Sequence, residues 1–397
     1  MTRLSDRIQQ LSESQTIAMA RKCRELAAQG IDIISLSLGE PDFSTPEVIK
    51  EAAKKAIDDN FSYYTHVSGY LELRQAICKK FKRDNGLDYT ADEIVVSTGA
   101  KQSIANAVLC LINPGDEVIV PSPYWVSYLE ILKLAGAKPI VVRTTIEDNF
   151  KITAAKLEQH IGPKTRMMMF STPCNPTGSI YSKAELKAIA EVVSKHEELY
   201  ILSDEIYEHI NFAGGHESMA QFDFIKDRVI TINGVSKGFA MTGWRGGILA
   251  APKWIAQACD KMQGQFTSAT CSITQKAMQT AMELPADATH PMRDAFKKRR
   301  DLVVKLMKEI PGFKCNLPEG AFYVFPEVSY YFGKSFNGKT IQNATDLSMF
   351  ILEQANVALV PGAAFGDDNY IRFSYATSED KLSEALKRMK TALEKLN

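Results

Sequence analysis

The apolar positions of this chain follow two grammars. From Glu93 to Gly234, short runs that are apolar on both faces alternate with stretches whose apolar residues recur every three or four positions. "EIVVS" (93–97), "EVIVPSP" (117–123), "KPIVV" (138–142), "RMMMFSTP" (166–173), "YILSD" (200–204) and "RVITING" (228–234) read as strands. "KQSIANAVLCLI" (101–112), stopped by Asn113-Pro114-Gly115, and the stretches 125–135 and 183–195 read as helices between them. Strands with no polar face, alternating with helices, predict an α/β domain with a buried, mostly parallel central sheet flanked by helices. Ligands of such sheets gather beyond the carboxyl ends of the strands.

Upstream, the spacing of Ile17, Ala20, Leu26 and Ala27 predicts a helix over 16–29, closed by Gly30. A short strand follows in "IDIISLSLGEPDF", and Thr45 and Pro46 are expected to open the next helix as N-cap and first-turn residue. The grammar changes near 290. A basic helix (292–309), "AFYVFPEV", another helix, "ANVALVPG", "YIRFSYA" and a terminal helix predict a smaller α+β domain. "DIISL" lacks a neighbouring partner and is expected to join it. The limits then read 1–45 for an N-terminal arm and part of the small domain, 46–290 for the large domain and 291–397 for the small C-terminal domain.

Composition excludes some function classes. The 397 residues are 45% hydrophobic and 24% charged, as in soluble globular proteins, and 47 Lys plus Arg balance 47 Asp plus Glu. Such a balance gives no electrostatic reason to expect nucleic acid or an anionic membrane as partner. "KKRR" (297–300) reads as one solvated helix face. Seven scattered cysteines without a CxxC pair, and no HExxH, argue against zinc, a disulfide framework or another metal centre. They fit a reducing, cytoplasmic setting. The N-terminus has no apolar core of signal-peptide length, and no run approaches a membrane span. The N-x-S/T triplets at Asn60 and Asn343 are then chance matches.

Candidate chemistry collects where strands end. "TINGVSKGFAMTGWR" (231–245) places Ser236, Lys237 and Arg245 among small and apolar neighbours, with no carboxylate to pair either cation. Asp204 ends an apolar strand and Tyr207 lies three residues on. A carboxylate there needs a cationic partner, which a protonated pyridine nitrogen would supply, or else it caps the next helix. Gly99 and Ala100 precede a helix whose free first-turn amides favour phosphate. Asn175 sits in the stiff loop "STPCNPTG", and Trp125 follows another strand as ordinary core or as a plate for a flat ring. Strand alternation puts Arg372 on one face with Tyr370 and Ser374, where its fork suits a carboxylate, unless it is a surface edge arginine. Together these residues describe a site for a flat, phosphorylated heteroaromatic aldehyde and a carboxylate-bearing amine, with Lys237 as the Schiff-base lysine.

With those residues assembled, the sequence resembles the class I (fold-type I) pyridoxal-phosphate aminotransferases, closest to bacterial aspartate aminotransferases. The resemblance runs nearly end to end through "LSLGEPDF" (36–43), "PSPYWVSY", "TPCNPTG", "LSDEIYE", "SKGFAMTGWR", "VPGAAFG" and "IRFSYATS" (371–378). It implies transfer of an amino group, with L-aspartate and 2-oxoglutarate as the expected pair, on pyridoxal 5′-phosphate bound to Lys237. It implies that Lys237 carries the cofactor and then moves the proton. Asp204 faces the pyridine nitrogen, and Tyr207 and Asn175 bond the ring hydroxyl oxygen. Ser236, Arg245 and the amides of Gly99, Ala100 and Lys101 hold the phosphate; Trp125 stacks on the ring. Gly39, Asn175 and Arg372 receive the substrate's α-carboxylate. Tyr64, in "SYYTHVSGY", reaches the phosphate of the other subunit, so a homodimer with shared sites is expected. Lys101 is the candidate for a second carboxylate, helped by Thr16 and by polar residues of "SATCS" (268–272). Two positions depart from the family pattern, Cys174 and Gly246, and Gly246 is expected to loosen the backbone behind the phosphate arginine.

Other readings are weighed against this one. "GKSFNGKT" (333–340) fits the phosphate-cradling P-loop pattern of NTPases in full, but no buried strand precedes it and no helix follows directly. A protein that only senses the cofactor would normally carry an added DNA-binding module, and none is expected from a sequence with no spare segment and no basic excess. Aromatic or prephenate-type amino donors, and a lyase reaction on the same cofactor, remain the serious rivals. Without G-x-G-x-x-G, dehydrogenase chemistry is set aside.

Overall fold

The computed structural model describes residues 3–13 and 15–397. In chain order the helices are α1 (Asp6–Gln9), α2 (Gln15–Ala28), α3 (Glu47–Asp58), α4 (Leu71–Asn85), α5 (Ala100–Leu111), α6 (Ser127–Leu134), α7 (Ala154–His160), α8 (Lys183–Ser194), α9 (Lys253–Phe266), α10 (Ser272–Glu283), α11 (His290–Met307), α12 (Ala344–Ala355) and α13 (Glu379–Leu393). β1 (Ile34–Ser35) precedes a seven-stranded sheet of β2 (Ile94–Thr98), β3 (Glu117–Ser122), β4 (Lys138–Arg143), β5 (Thr165–Ser171), β6 (Tyr200–Asp204), β7 (Val229–Gly234) and β8 (Gly246–Ala250). Its order is β2-β8-β7-β6-β5-β3-β4, and only β8 runs against the rest.

Strand alternation sorts this sheet's side chains into two cores. Val96, Ile119, Met168, Phe170, Ile201 and Ile248 meet α3, α4, α8 and α10 on one face. Val95, Val118, Val120, Met167, Met169, Leu202 and Ile232 meet α5, α6 and α9 on the other. A sheet covered on both sides needs strands with no polar face, which is the pattern the sequence carries.

A third core unites Ile34 and Leu36 with Phe296, Val303 and apolar residues from 321 to 396, and it also takes in Ile206, Tyr207 and Ile210. Here β9 (Tyr323–Val324), β13 (Val360–Pro361) and β14 (Ile371–Ser374) form an antiparallel sheet in the order β13-β14-β9. β1 pairs in parallel with β12 (Val357–Ala358), Ile34 opposite Val357.

Local chemistry sets several ends. Ser182 caps α8 in a reciprocal capping box with Glu185, worth about 1 kcal/mol. Asn343 caps α12 by accepting from the Asp346 amide at 2.9 Å. Two expectations change. Thr45 does not cap α3; Pro46 holds the N-cap position, and the Thr45 hydroxyl donates to the Ala240 carbonyl at 2.8 Å, tying two loops together. In "KKRR" only Lys297 and Lys298 stay exposed. α11's phase turns Arg300 into the core, where it donates to the Pro318 carbonyl, and Arg299 grips Asp42. The P-loop-like "GKSFNGKT" is a hairpin, β10 (Ser335–Phe336) with β11 (Lys339–Thr340), turning at Asn337 and Gly338, both at positive φ. Among the described residues no helix is long and apolar enough to cross a membrane.

Candidate active site

Because β2, β3, β5, β6 and β7 run in one direction, their carboxyl ends share one edge of the sheet. β8 runs the other way, so its first residue, with Arg245 just before it, reaches that same edge: Gly246 pairs with Thr98. A cavity of about 290 Å³ opens there. Asp204, Ser171, Trp125, Ala100 and Lys101, Ser236 and Lys237 line it from strand ends and the turns after them. Gly39, Tyr323 and Arg372 close it from the third core, Asn175 from the loop after β5, and Thr16 and Ile17 from α2.

Close backbone approach explains the glycines. Gly99, at φ 83, is the N-cap of α5, and a Cβ on it would lie 2.3 Å from Arg245 Nη2. A Cβ on Gly247 would lie 2.2 Å from the Gly99 carbonyl carbon, so the turn lies flat on β8. α5 thus presents its unpaired first amides at the cavity, with Ala100 and Lys101 in its lining. Arg245 sits in the left-handed region at φ 59, and its guanidinium donates to the carbonyls of Thr242 (2.9 Å) and Thr98 (3.4 Å). Gly246 does not loosen this backbone. It is buried in a paired strand, and a Cβ there would meet Met278 Sδ at 2.5 Å.

Electrostatically the cavity is a set of unsatisfied charges. Lys237 donates to the Gly39 carbonyl at 2.5 Å, and burial lowers its amine to about 8; Glu40 and Asp204 oppose that fall, while Arg372 and Arg245 assist it. Burial raises Asp204 to about 6, against hydrogen bonds from the Tyr128 hydroxyl (2.8 Å) and the Ile206 amide (3.3 Å). Arg372 is 2% exposed and donates to Asn175 Oδ1 (3.0 Å) and the Ser37 carbonyl (2.5 Å), while its Nε has no partner. Lys101 lies 5.0 Å over the Trp125 ring, its amine lowered by burial and by Arg245. Among the described residues none of Lys101, Lys237, Arg245 and Arg372 forms an ion pair with a carboxylate. Four cations and one carboxylate around a single cavity suit a ligand set with several negative charges and one positive nitrogen.

Of the residues singled out from the sequence, Thr16, Gly39, Ala100, Lys101, Trp125, Asn175, Asp204, Tyr207, Ser236, Lys237, Arg245 and Arg372 line this one cavity. Gly99 lies behind it, against Arg245. Tyr64 is outside the lining and 97% exposed in the single chain. None of 268–272 lines it; Ser272 and Thr270 bond the carbonyls of Phe61 and Val96. Sequence reasoning missed Tyr128, Ser171 and Tyr323. Tyr128 had a signal, since it follows Trp125 by one helical turn in "PSPYWVSY". Tyr323 had none, being one more aromatic in an apolar run.

A family profile described as Aminotransferase class I and II matches residues 31–389. The chain is 46% identical over 395 residues to the bifunctional aspartate aminotransferase and glutamate/aspartate-prephenate aminotransferase of Petunia hybrida, covering 98% of this chain and 82% of that protein. It is 46% identical to the aspartate/prephenate aminotransferase of Cereibacter sphaeroides, over 98% of each. The crystal structure of the Rhizobium meliloti aspartate aminotransferase superposes with a TM-score of 0.96 at 41% identity, covering 100% of both chains. That of the Thermus thermophilus enzyme with maleate gives 0.92 at 38%, covering 99% of this chain and 100% of that one. With the cavity at the carboxyl edge of a mixed seven-stranded sheet and these matches along its whole length, the chain belongs to the class I and II aminotransferases.

Proposed function

We propose that this aminotransferase moves the amino group of L-aspartate to 2-oxoglutarate, with pyridoxal 5′-phosphate carried on Lys237, in a cytoplasmic homodimer. The observation that carries the reading is the arrangement of Asp204, Lys237 and Arg372 around one cavity: a buried carboxylate without a cation, a buried amine held near neutrality, and a buried guanidinium with an unused donor.

The residues fit the cofactor. Its cationic ring nitrogen would give Asp204 the partner its burial lacks, and its phosphate matches Arg245, Ser236 and the amides that open α5. Tyr207 and Asn175, which line the same cavity, are assigned to the ring oxygen, and Trp125 to the ring face. When bound, the cofactor supplies an electron sink for the carbanion left at the substrate's Cα. The protein does the rest. Arg372 and Asn175 hold the α-carboxylate and so fix which bond at Cα is presented. Lys237, with its amine lowered to about 8, can hold or release a proton near neutral pH, as a group that removes the Cα hydrogen must. Trp125, Tyr207 and Tyr323 exclude water around it.

Lys101 and Thr16 also line the cavity, and we assign them to a second carboxylate. The maleate in the Thermus relative is itself a dicarboxylate. Prephenate as amino acceptor is the second reading, favoured by the names of the Petunia and Cereibacter relatives. The exposed Tyr64 supports a homodimer, where it would reach the partner's phosphate. We also keep 1–45, 46–290 and 291–397 as the proposed domain limits.

The test is a half-reaction. Cofactor-loaded protein is mixed with single amino acids while absorbance follows the change from the carbonyl to the amine form of the cofactor. Aspartate should react, with oxaloacetate as product; alanine plus carbon dioxide would make the protein a lyase. Lys101→Ala should lower kcat/KM for aspartate about tenfold or more relative to alanine or phenylalanine. Equal losses remove Lys101 from the distal site.

A further inference from the structure

Besides helping to exclude water, Tyr323 touches three of the site's working residues. Its hydroxyl lies 2.8 Å from that of Tyr207, and each phenol is the other's hydrogen-bond partner. Its ring centroid is 4.6 Å from the Arg372 guanidinium carbon. Gly39, whose carbonyl accepts from Lys237, makes room for it: a Cβ there would lie 2.3 Å from the Tyr323 oxygen. The residue is held rigidly. β9 pairs Tyr323 with Ser374, two residues beyond Arg372, and the Ala321 amide donates to Ile210 in the turn that carries Tyr207. Both phenols are buried, at 0% and 3% exposure.

Two phenols in mutual contact have two protons and one shared hydrogen bond. Whichever oxygen accepts keeps its own proton free for another acceptor. If Tyr207 donates to the cofactor's ring oxygen, its oxygen must accept from Tyr323. The Arg372 cation over the Tyr323 ring favours that direction, since it makes the Tyr323 hydroxyl the better donor. Hydrogen bonds in such a chain strengthen one another.

We propose that Tyr323 is a positioning residue that fixes the Tyr207 hydroxyl proton toward the cofactor and strengthens its donation, linking the carboxylate-binding guanidinium to the cofactor's ring oxygen. The inference rests on the cofactor reading above. Removing the Tyr323 hydroxyl leaves Tyr207 a weaker, unsteered donor. With the cofactor bound, more negative charge would then stay on the ring oxygen, and the Lys237 nitrogen beside it would hold its proton to higher pH.

The measurement is the visible absorbance of the cofactor-loaded protein titrated with pH in the absence of substrate. Tyr323→Phe should raise the midpoint by about half a pH unit, roughly a threefold change in proton affinity. Because the ring stays under Arg372, KM for aspartate should stay within about twofold. In a Tyr207→Phe background, Tyr323→Phe should shift the midpoint no further. An unchanged midpoint in Tyr323→Phe, or an equal shift in both backgrounds, overturns the proposal. A role in packing alone would raise KM and leave the midpoint where it was, and that result also overturns it. Wild-type protein that takes up no cofactor absorbance overturns the cofactor reading itself, which a failed shift in Tyr323→Phe does not.

Discussion

Asp204 and Glu208 are buried carboxylates four positions apart in one short segment, and their environments push them in opposite directions. For Asp204, burial wins and raises the carboxyl to about 6, because the phenol and amide that hydrogen-bond it and the weaker pull of Lys237 do not offset it. For Glu208, burial also pulls upward but loses to the Lys80 ammonium, with His209 and His216 adding to it, so the carboxyl is held well below its usual range. Asn85 donates to the other Glu208 oxygen at 2.9 Å. Behind the cavity the charges are complete; facing it they are not. A buried charge that the fold leaves unpaired is a socket for a ligand's charge, whereas a paired one fastens the segment that carries the socket.

The largest effect should come from breaking the complete pair. Lys80 is 3% exposed, so Lys80→Met leaves Glu208 buried without its cation and should cost about 3–5 kcal/mol in urea unfolding. Adding Glu208→Leu should restore most of that. A loss below about 1 kcal/mol for Lys80→Met would erase the distinction between the two carboxylates.

The reverse outcome is expected at Asp204. A carboxyl raised in the fold from 3.8 to about 6 stabilises its neutral form, a contribution present below about pH 4 and lost as pH rises through 6. In cofactor-free protein at pH 8, Asp204→Asn should therefore be more stable than wild type by up to about 3 kcal/mol, and equal to it near pH 3.5. The same change should cost about a hundredfold or more in turnover. His209, beside Glu208 and in the field of Lys80 and Asp84, gives the opposite slope. Burial lowers it from 6.5 to about 4, so the fold keeps it neutral and stability is lost as pH falls from 6.5 through 4. His209→Gln should flatten the acid side of the stability profile and leave the pH 8 end unchanged.

What the sequence makes legible follows from range. Strand ends announce Asp204, Lys237 and Asn175, because a polar residue closing an apolar run is a local signal. β8 is hidden: "GGILA" (246–250) opens with two glycines, the first crowded by Met278 and the second by the Gly99 turn, both contacts between distant segments. Tyr128 and Tyr323 look like core until the fold brings Asp204 and Arg372 to them. Nothing local separates Asp204 from Glu208, since the lysine that decides lies 128 positions away. "KKRR" fails for a related reason. Four cations in a row name a basic helix, but the helix phase decides which two face water.

The smallest effect belongs to a pair that shares the geometry of a complete charge pair without its burial. Arg299 forks onto Asp42 at 2.6 and 3.0 Å, with Asp42's side chain 31% exposed. Water already solvates part of that carboxylate, and the amide oxygen of Asp42→Asn can still accept from the Arg299 fork, so the change should cost about 0.5–1 kcal/mol. Arg299 also keeps its contact with the Phe43 ring, 5.0 Å from the guanidinium carbon, which the substitution does not touch. In 1 M salt, where the screening length is about 3 Å, the loss should vanish, while that of Lys80→Met should persist. Equal salt dependence for the two pairs would mean that water reaches Lys80 and Glu208 as well, and that burial does not set the fate of Asp204 either.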